Sequence, residues 1–292
     1  MKHLIGIESD AYIGNNEFGI DFEAYRRYGF DALDYQGLIS MNSNPKLYEM
    51  SEKDFRSYLE RLYAEANKYG LKINQLHSLW EGNFKNTPDD IDIFEYHKKA
   101  LIAASILKAK HVVYHTIPVP GYFIWDQVDY DEMFKVNVEF FKRLAPIAKE
   151  LGVYIAIENL PFYSLKEFFS PTGTLKLINA IDDPNVVMCL DTGHFNMFKE
   201  EKIYDFLLKA GDKLGCLHIH DNNGHTDAHT IPYLGNFDWK MFIKGLKDIN
   251  YPGVLSLETK VNFENMNKEL YDSINGTLLT VIKNLRKELD EK

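Results

Sequence analysis

Six apolar runs of this chain end, or nearly end, in carboxylates and imidazoles, the side chains that offer oxygen and nitrogen to a divalent cation. The runs are INQLHS, HVVYHT, YIAIENL, VVMCLDTGH, GCLHIHDN and VLSLETK. They carry His77, His115, Glu158, Asp191 with His194, His218 with His220, and Glu258. One polar residue ending one apolar strand means little. The same event on strand after strand means that the ends meet, because a buried carboxylate needs a partner. Carboxylates that converge repel one another unless a cation sits between them. A mixed oxygen and nitrogen donor set suits Zn, Mn, Co or Fe; Mg, which prefers oxygen-only shells, suits it less.

Eight strand-like segments, each followed by a helix-like one, must position these residues. LIGIE precedes a short helical stretch at Phe22–Tyr28, FDALDY precedes Ser51–Lys68, and LKINQLHS precedes Ile93–Leu107. HVVYHT leads to Asp131–Glu150, VYIAIENL to Thr174–Ala180, and VVMCLD to Ile203–Ala210. LGCLHIH leads to Trp239–Asp248, and VLSLET to Met266–Leu289. The helices carry apolar stripes at three- and four-residue intervals; the strands are short and nearly all apolar, as in parallel sheets covered on both faces. Eight such units over residues 1–292 predict a single α/β domain, a (β/α)8 TIM barrel. The alternative, a doubly wound open sheet, needs a glycine-rich phosphate loop after its first strand. GIESDAYIGNNEFG lacks that spacing.

Side chains alternate across a strand with period two. An inward Glu158 therefore puts Ala156 inward too, and Asp191 goes with Cys189, His218 with Cys216, Glu258 with Ser256. A small residue beneath each polar one fits a crowded barrel interior with a polar layer at its C-terminal mouth.

Charge and composition bound the partners. The chain is 45% hydrophobic and 26% charged, and 33 basic against 43 acidic residues leave a net charge of -10. An acidic surface does not favour nucleic acid, whose phosphates are gripped by Lys and Arg clusters. MKHLIGIESD opens on a strand-like run without a signal-peptide core, and no apolar run approaches ~18 residues. The expectation is a cytoplasmic protein with no membrane contact. Cys189 and Cys216 lie inside apolar strands and read as buried small hydrophobes, not as a disulfide framework.

The strings IENL, CLDTGH, HIHDN, the D-x-H of DAHTIPYLGNFDW, and YPGVLSLE resemble the xylose isomerase-like TIM-barrel superfamily. That superfamily holds sugar and sugar-phosphate isomerases and epimerases, inosose dehydratases and endonuclease IV. The resemblance implies a divalent-metal-dependent isomerase or epimerase. It would act on a sugar, a sugar phosphate or an inositol-derived substrate, through proton transfer next to a carbonyl and an enediolate. In the ketose 3-epimerases of the superfamily, four strand-end residues hold one metal, and by motif these are Glu158, Asp191, His218 and Glu258. Glu158 and Glu258 would be the acid and base. His218 is preferred over His220 because it lies three residues before Asp221, as in the pattern His-x-x-Asp/Glu. The larger three-zinc set of endonuclease IV corresponds to His77, His115, Glu158, Asp191, His194, His218, Asp227, His229 and Glu258. The alternative reading is thus a zinc phosphodiesterase acting on abasic DNA, or a related inosose-type dehydratase. Related barrels are often homo-oligomers, which the resemblance extends to this chain.

Each of the outer residues also has a plainer reading. His77 and His115 could bond a loop or a sugar hydroxyl, and Asp191 with His194 could form a turn and cap. Asp227 and His229 could be solvated loop residues, and His220 could support a ligand or touch substrate. Lys260 shares the strand face of Glu258 and could meet a substrate phosphate. Trp80, Tyr122, Phe123 and Trp125, in loops after strands, could stack on a sugar ring or pack among themselves. The ketose epimerases place a substrate-binding Arg a few residues after the metal histidine. HIHDNNGHTD contains none.

Overall fold

The computed structural model describes residues 3–39, 45–80, 93–119, 129–161, 165–259 and 266–291. Among them, eight strands form one sheet: β1 (Ile5–Glu8), β2 (Ala32–Tyr35), β3 (Lys72–His77), β4 (His111–Tyr114), β5 (Tyr154–Glu158), β6 (Val186–Asp191), β7 (Leu214–His218) and β8 (Leu255–Leu257). All pairings within it are parallel, and the order runs β7-β6-β5-β4-β3-β2-β1-β8. The sheet closes just beyond β7. Ile219 bridges Leu257, its N–H donating to Ser256 O at 2.8 Å, and Glu258 N–H returns to Ile219 O at 3.0 Å. The result is the expected (β/α)8 barrel.

The sheath is α1 (Phe22–Arg27), α2 (Pro45–Glu49), α3 (Glu52–Lys68), α4 (Ile93–Leu107), α5 (Tyr130–Leu151), α6 (Lys166–Phe169), α7 (Pro171–Ile181), α8 (Thr192–Asn196), α9 (Ile203–Ala210), α10 (Trp239–Asp248) and α11 (Lys268–Asp290). Local chemistry sets the ends of these helices. Ser51 caps α3 by accepting from Asp54 N–H, and α5 stops at Gly152, whose φ of 70° is cheap for glycine alone. Helix α7 starts three residues earlier than the apolar stripe suggests. Ser170 caps it and Pro171 occupies the first turn, where a missing N–H costs nothing. Helices α2, α6 and α8 span only one turn or so and leave no periodicity to read.

Two apolar layers result. Helices and outer strand faces form one large core. Inside the barrel, Val113, Ala156, Val187, Cys189 and Cys216 form a separate buried cluster. Ala156, Cys189, Cys216 and Ser256 are all buried beneath the polar strand ends, as period two requires. Cys189 and Cys216 face each other in register and are free thiols. Among the described residues no helix is long and apolar enough to cross a membrane.

Candidate metal centre

The polar strand ends meet at the C-terminal mouth. His77 ends β3, His115 follows β4, and Glu158, Asp191 and His218 end β5, β6 and β7; Glu258 follows β8 directly. All but His115 are buried, and His115 is partly so. The side chains sort into three groups, in each of which one donor atom per residue lies within 4.8 Å of every other. The inner group is Glu158, Asp191, His218 and Glu258. A second joins His77 and His115 to Glu158. A third is His194, His220, Asp227 and His229.

Inner geometry centres on His218. Its Nδ1 lies 3.0 Å from Glu158 Oε1 and 3.2 Å from Glu258 Oε2. Asp191 stands opposite His218 in the β6–β7 register, and its Oδ1 accepts from His194 N–H at 2.6 Å. Glu158 Oε2 looks the other way, 3.1 Å from His115 Nε2 and 3.4 Å from His77 Nε2. Glu158 thus belongs to two groups at once.

The third group hangs on α8 and on the loop after β7. His194 Nε2 and His229 Nε2 lie 3.3 and 3.2 Å from Asp227 Oδ2. The His220 ring stacks on that of His229 at 3.9 Å and 7°. His218 and His220 therefore part company: the first faces the inner group, and the second turns to Asp191 Oδ2, 2.9 Å from its Nε2. Gly193 makes room for this ring, since a Cβ there would sit 2.0 Å from His220 Cε1.

Asp221 holds the loop in shape. Its Oδ1 accepts from Asn222 N–H and Phe237 N–H, and its Oδ2 from Tyr233 N–H and the Trp239 indole N–H. Its backbone pairs with Thr230 in both directions. His229 (φ 47°) and Tyr233 (φ 73°) accept left-handed backbone inside this clasp. Such a conformation costs a non-glycine residue roughly 1 kcal/mol or more. The carboxylate of the His-x-x-Asp pattern thus shapes the loop and stands outside the three groups.

Four of these histidines are held by one ring nitrogen. A carbonyl oxygen can only accept, so the ring nitrogen facing it must carry the proton. His77 Nδ1–H donates to Ser78 O at 2.7 Å, His194 Nδ1–H to Asn159 O at 2.9 Å, and His229 Nδ1–H to Glu258 O at 2.8 Å. His218 is tied by its other nitrogen, Nε2–H, to Asp34 Oδ2 at 2.9 Å. Histidines that ligate metals are anchored in this way, one nitrogen held and the other aimed inward.

Electrostatics point to the same place. Burial pushes Glu158 and Glu258 towards the neutral acid, but the imidazoles around them, His218 first, hold both well below the usual carboxylate range. Burial likewise opposes charge on His218, and Cys189 beneath it together with the carboxylates of Glu258, Glu158 and Asp34 outweighs it, holding His218 well above the usual imidazole range. For His194 burial is again outweighed, by Asp191, Asp227 and Glu158, and its pKa rises to about 10. Asp227, despite partial burial, is drawn down by His194 and His229.

Some buried atoms have nowhere to bond. Asp191 Oδ2, Glu258 Oε2 and both ring nitrogens of His220 lack a hydrogen-bond partner among the described residues. His220 Nε2 and Asp191 Oδ2 are close without the alignment of a hydrogen bond. Orphaned donor atoms at the meeting point of oxygen and nitrogen ligands fit a divalent cation of the Zn, Mn, Co or Fe kind.

Asp34, at the third position of β2, is a site residue that the sequence reading did not single out. The strand ALDY shows one acid in a wholly buried run, the available signal. Trp80 sits partly exposed at the rim, its ring 6.3 Å from that of His115. Tyr122, Phe123, Trp125 and Lys260 lie outside the described residues.

A closed parallel barrel with acids and anchored histidines at its C-terminal mouth defines the broad class. The chain belongs to the xylose isomerase-like TIM barrel family, whose model matches residues 22–275. A protein of Methanocaldococcus jannaschii, itself without an assigned function, is 32% identical over 57% of this chain and 61% of its own length. The chain spans little more than half the length of the first curated relatives it matches, 61% and 55%. A D-psicose 3-epimerase of Agrobacterium fabrum is 25% identical over 88% of this chain and 84% of its own. Among solved structures, the apo 3-keto-D-glucoside 4-epimerase from E. coli superposes with a TM-score of 0.73 at 19% identity, covering 98% of this chain and 100% of that one. An L-ribulose 3-epimerase superposes with a TM-score of 0.72 at 18% identity, over 99% and 95%. At these identities the likeness in structure speaks for the fold.

Proposed function

We propose that this protein is a divalent-metal-dependent sugar epimerase or isomerase that moves a proton on a carbon next to a carbonyl. The observation that carries this reading is the pair of acidic side chains, Glu158 from β5 and Glu258 from beyond β8, that approach His218 Nδ1 at 3.0 and 3.2 Å. Glu158, Asp191, His218 and Glu258 would hold the cation. When bound, it supplies Lewis-acid polarisation of the substrate carbonyl and its neighbouring hydroxyl. Glu158 and Glu258 come from separate strands, and each ionised carboxylate can take up a proton from the substrate carbon or return it. Two bases reaching one carbon from opposite sides invert it. One base serving adjacent carbons exchanges aldose for ketose. His194 with its partner Asp227 would bind sugar hydroxyls, and the rim residue Trp80 would stack on the sugar. The named relatives that are ketose 3-epimerases support the sugar class.

The substrate would differ from free ketohexoses. The stretch from His218 to Asp227 has no Arg, and Asp227 and His229 occupy this side of the mouth instead. That outer group also favours a second reading, a phosphodiesterase of the endonuclease IV type using all three groups. The loops supply little to grip a duplex: the long loop after β7 has no Lys or Arg between Asn222 and Asp238.

Deuterium exchange separates the two. The purified protein, loaded with Mn or Zn, is incubated in D2O with a panel of ketoses, ketose phosphates and inososes. Incorporation at a carbon next to the carbonyl is the expected result. Absence of exchange across the panel, together with nicking of an abasic duplex, would replace the first reading by the second.

A further inference from the structure

Asp34 carries a cost that the fold does not repay. Its side chain is fully buried, and Oδ1 has no hydrogen-bond partner among the described residues. Burying a carboxylate is expensive, and an apolar residue of similar size generally serves stability as well or better. Elsewhere the barrel interior uses such residues, Val113, Ala156 and Val187 among them. The contacts of Asp34 are specific. Oδ2 accepts from His218 Nε2–H at 2.9 Å and from Gln75 Nε2 at 2.9 Å. Gln75, its partner in the β2–β3 register, is also fully buried. Gln75 is fixed in turn by donating to Leu217 O at 3.3 Å and accepting from Asn74 Nδ2 at 2.9 Å. A polar chain Asn74–Gln75–Asp34–His218 therefore crosses the barrel interior from β3 to β7.

His218 is also the exception among the anchored histidines. His77, His194 and His229 give Nδ1–H to a backbone carbonyl and aim Nε2 inward. His218 gives Nε2–H to a carboxylate and aims Nδ1 inward. We propose that Asp34 is the positioning residue that turns Nδ1 of His218 towards Glu158 and Glu258, with Gln75 holding Asp34 in place, and so sets the cation affinity of the inner group. This rests on the metal-centre reading above. An ionised carboxylate can only accept, so in the cation-loaded site it keeps the ring proton on Nε2 and leaves the lone pair of Nδ1 for the cation. Its negative charge also makes the imidazole a better donor. Partners of this kind typically contribute about 10- to 100-fold in metal affinity.

The test uses the full-length chain, stripped of metal and titrated with Zn against a chromophoric competing chelator. Asp34→Asn keeps an acceptor without the charge, and Asp34→Leu removes both. The expected losses of affinity are about 10-fold and about 100-fold. The 15N-histidine NMR spectrum of the Zn-loaded wild type should show one imidazole protonated at Nε2 and ligating through Nδ1. That signature should weaken in Asp34→Leu, while the melting temperature of the metal-free variant stays at or above that of the wild type. A merely structural residue would lower that temperature and leave the signature alone. If Asp34→Leu does not fold, Asp34→Asn still decides. Zn affinities within twofold of wild type, with the Nε2–H signal unchanged, overturn the role of Asp34 and leave the metal centre standing. A wild-type chain that takes up no divalent cation overturns both.

Discussion

The two ends of the barrel use the same residue type in opposite ways. His111 opens β4 near the N-terminal end, and His115 follows the same strand at the other. His111 is buried beside the Tyr154 ring, and burial, helped by Lys110, drives its pKa down to about 3. At the C-terminal mouth, burial of His77 is just as complete, yet the Glu158 carboxylate outweighs it and raises the pKa. Depth alone does not decide the charge of a histidine; the presence of a carboxylate does. Nor does open space mark a site. The N-terminal end has a cavity of about 770 Å³ that Lys72, Lys108, Lys110 and His111 help to line, with Asp212 its one acid among the described residues. At the C-terminal end, carboxylates and anchored imidazoles aim at common points. Convergence of donors, more than volume, marks the candidate site.

The contrast can be broken most sharply by neutralising the acids. Glu158→Gln and Glu258→Gln should each lower turnover by about 10²- to 10⁴-fold, with the circular dichroism spectrum of the fold preserved. Wild-type turnover in both would remove the proposed acid and base. Next comes the cation itself. A ligand held at a thousand times its dissociation constant stabilises by about 4 kcal/mol, so calorimetry should show a marked drop in melting temperature on chelation. His111→Gln, at the other end, should show the same drop; a chelation shift that vanishes in this variant would place the cation elsewhere.

A smaller effect separates inner from outer group. Gly193→Ala must displace the His220 ring, since its Cβ would fall 2.0 Å from Cε1. The expected outcome is substrate affinity weakened by about tenfold, or roughly 1.4 kcal/mol, with the inner cation unchanged by elemental analysis; a second cation lost in this variant would favour the phosphodiesterase reading. Loss of the inner cation as well would show the groups to be one. The smallest effect belongs to His111. Its folded pKa of about 3 lies below the unfolded value of about 6.5. The unfolded chain therefore binds more protons in this window, and stability falls as pH drops from about 6.5 towards 3. Between about pH 6.5 and about pH 5.5 this amounts to about 1 kcal/mol. His111→Gln should flatten denaturant-derived stability by that amount relative to wild type.

Much of this was legible in the residues themselves. Helices α4, α9 and α10 begin and end where their apolar stripes do, because an amphipathic helix buried on one side has its length written in its pattern. The acids and imidazoles at strand ends were legible for a similar reason: a parallel barrel gathers its C-terminal strand ends into one ring. Asp34 was not, since its meaning depends on an imbalance three dimensions supply: a histidine ring reaching from β7 across to β2. The parting of His218 and His220 was equally invisible. Period two puts both on one face, and the turn of the chain into the loop sends them to different partners. Asp221 shows the reverse case. Its spacing from His218 was legible, but its work is to gather the amides of a loop.

That clasp has a consequence for descent. Asp221 and Trp239 close the segment between them upon itself, so Asp227 and His229 ride on a cassette that is tied to the barrel mouth chiefly through His229 Nδ1–H on Glu258 O and Asn222 Nδ2 on Gly193 O. Exchange of the cassette would strip Asp227 and His229 from the outer group and leave Glu158, Asp191 and His218 at the ends of their strands. A related barrel with a different cassette would lack Asp227 and His229 and keep the polar residues that end β5, β6 and β7.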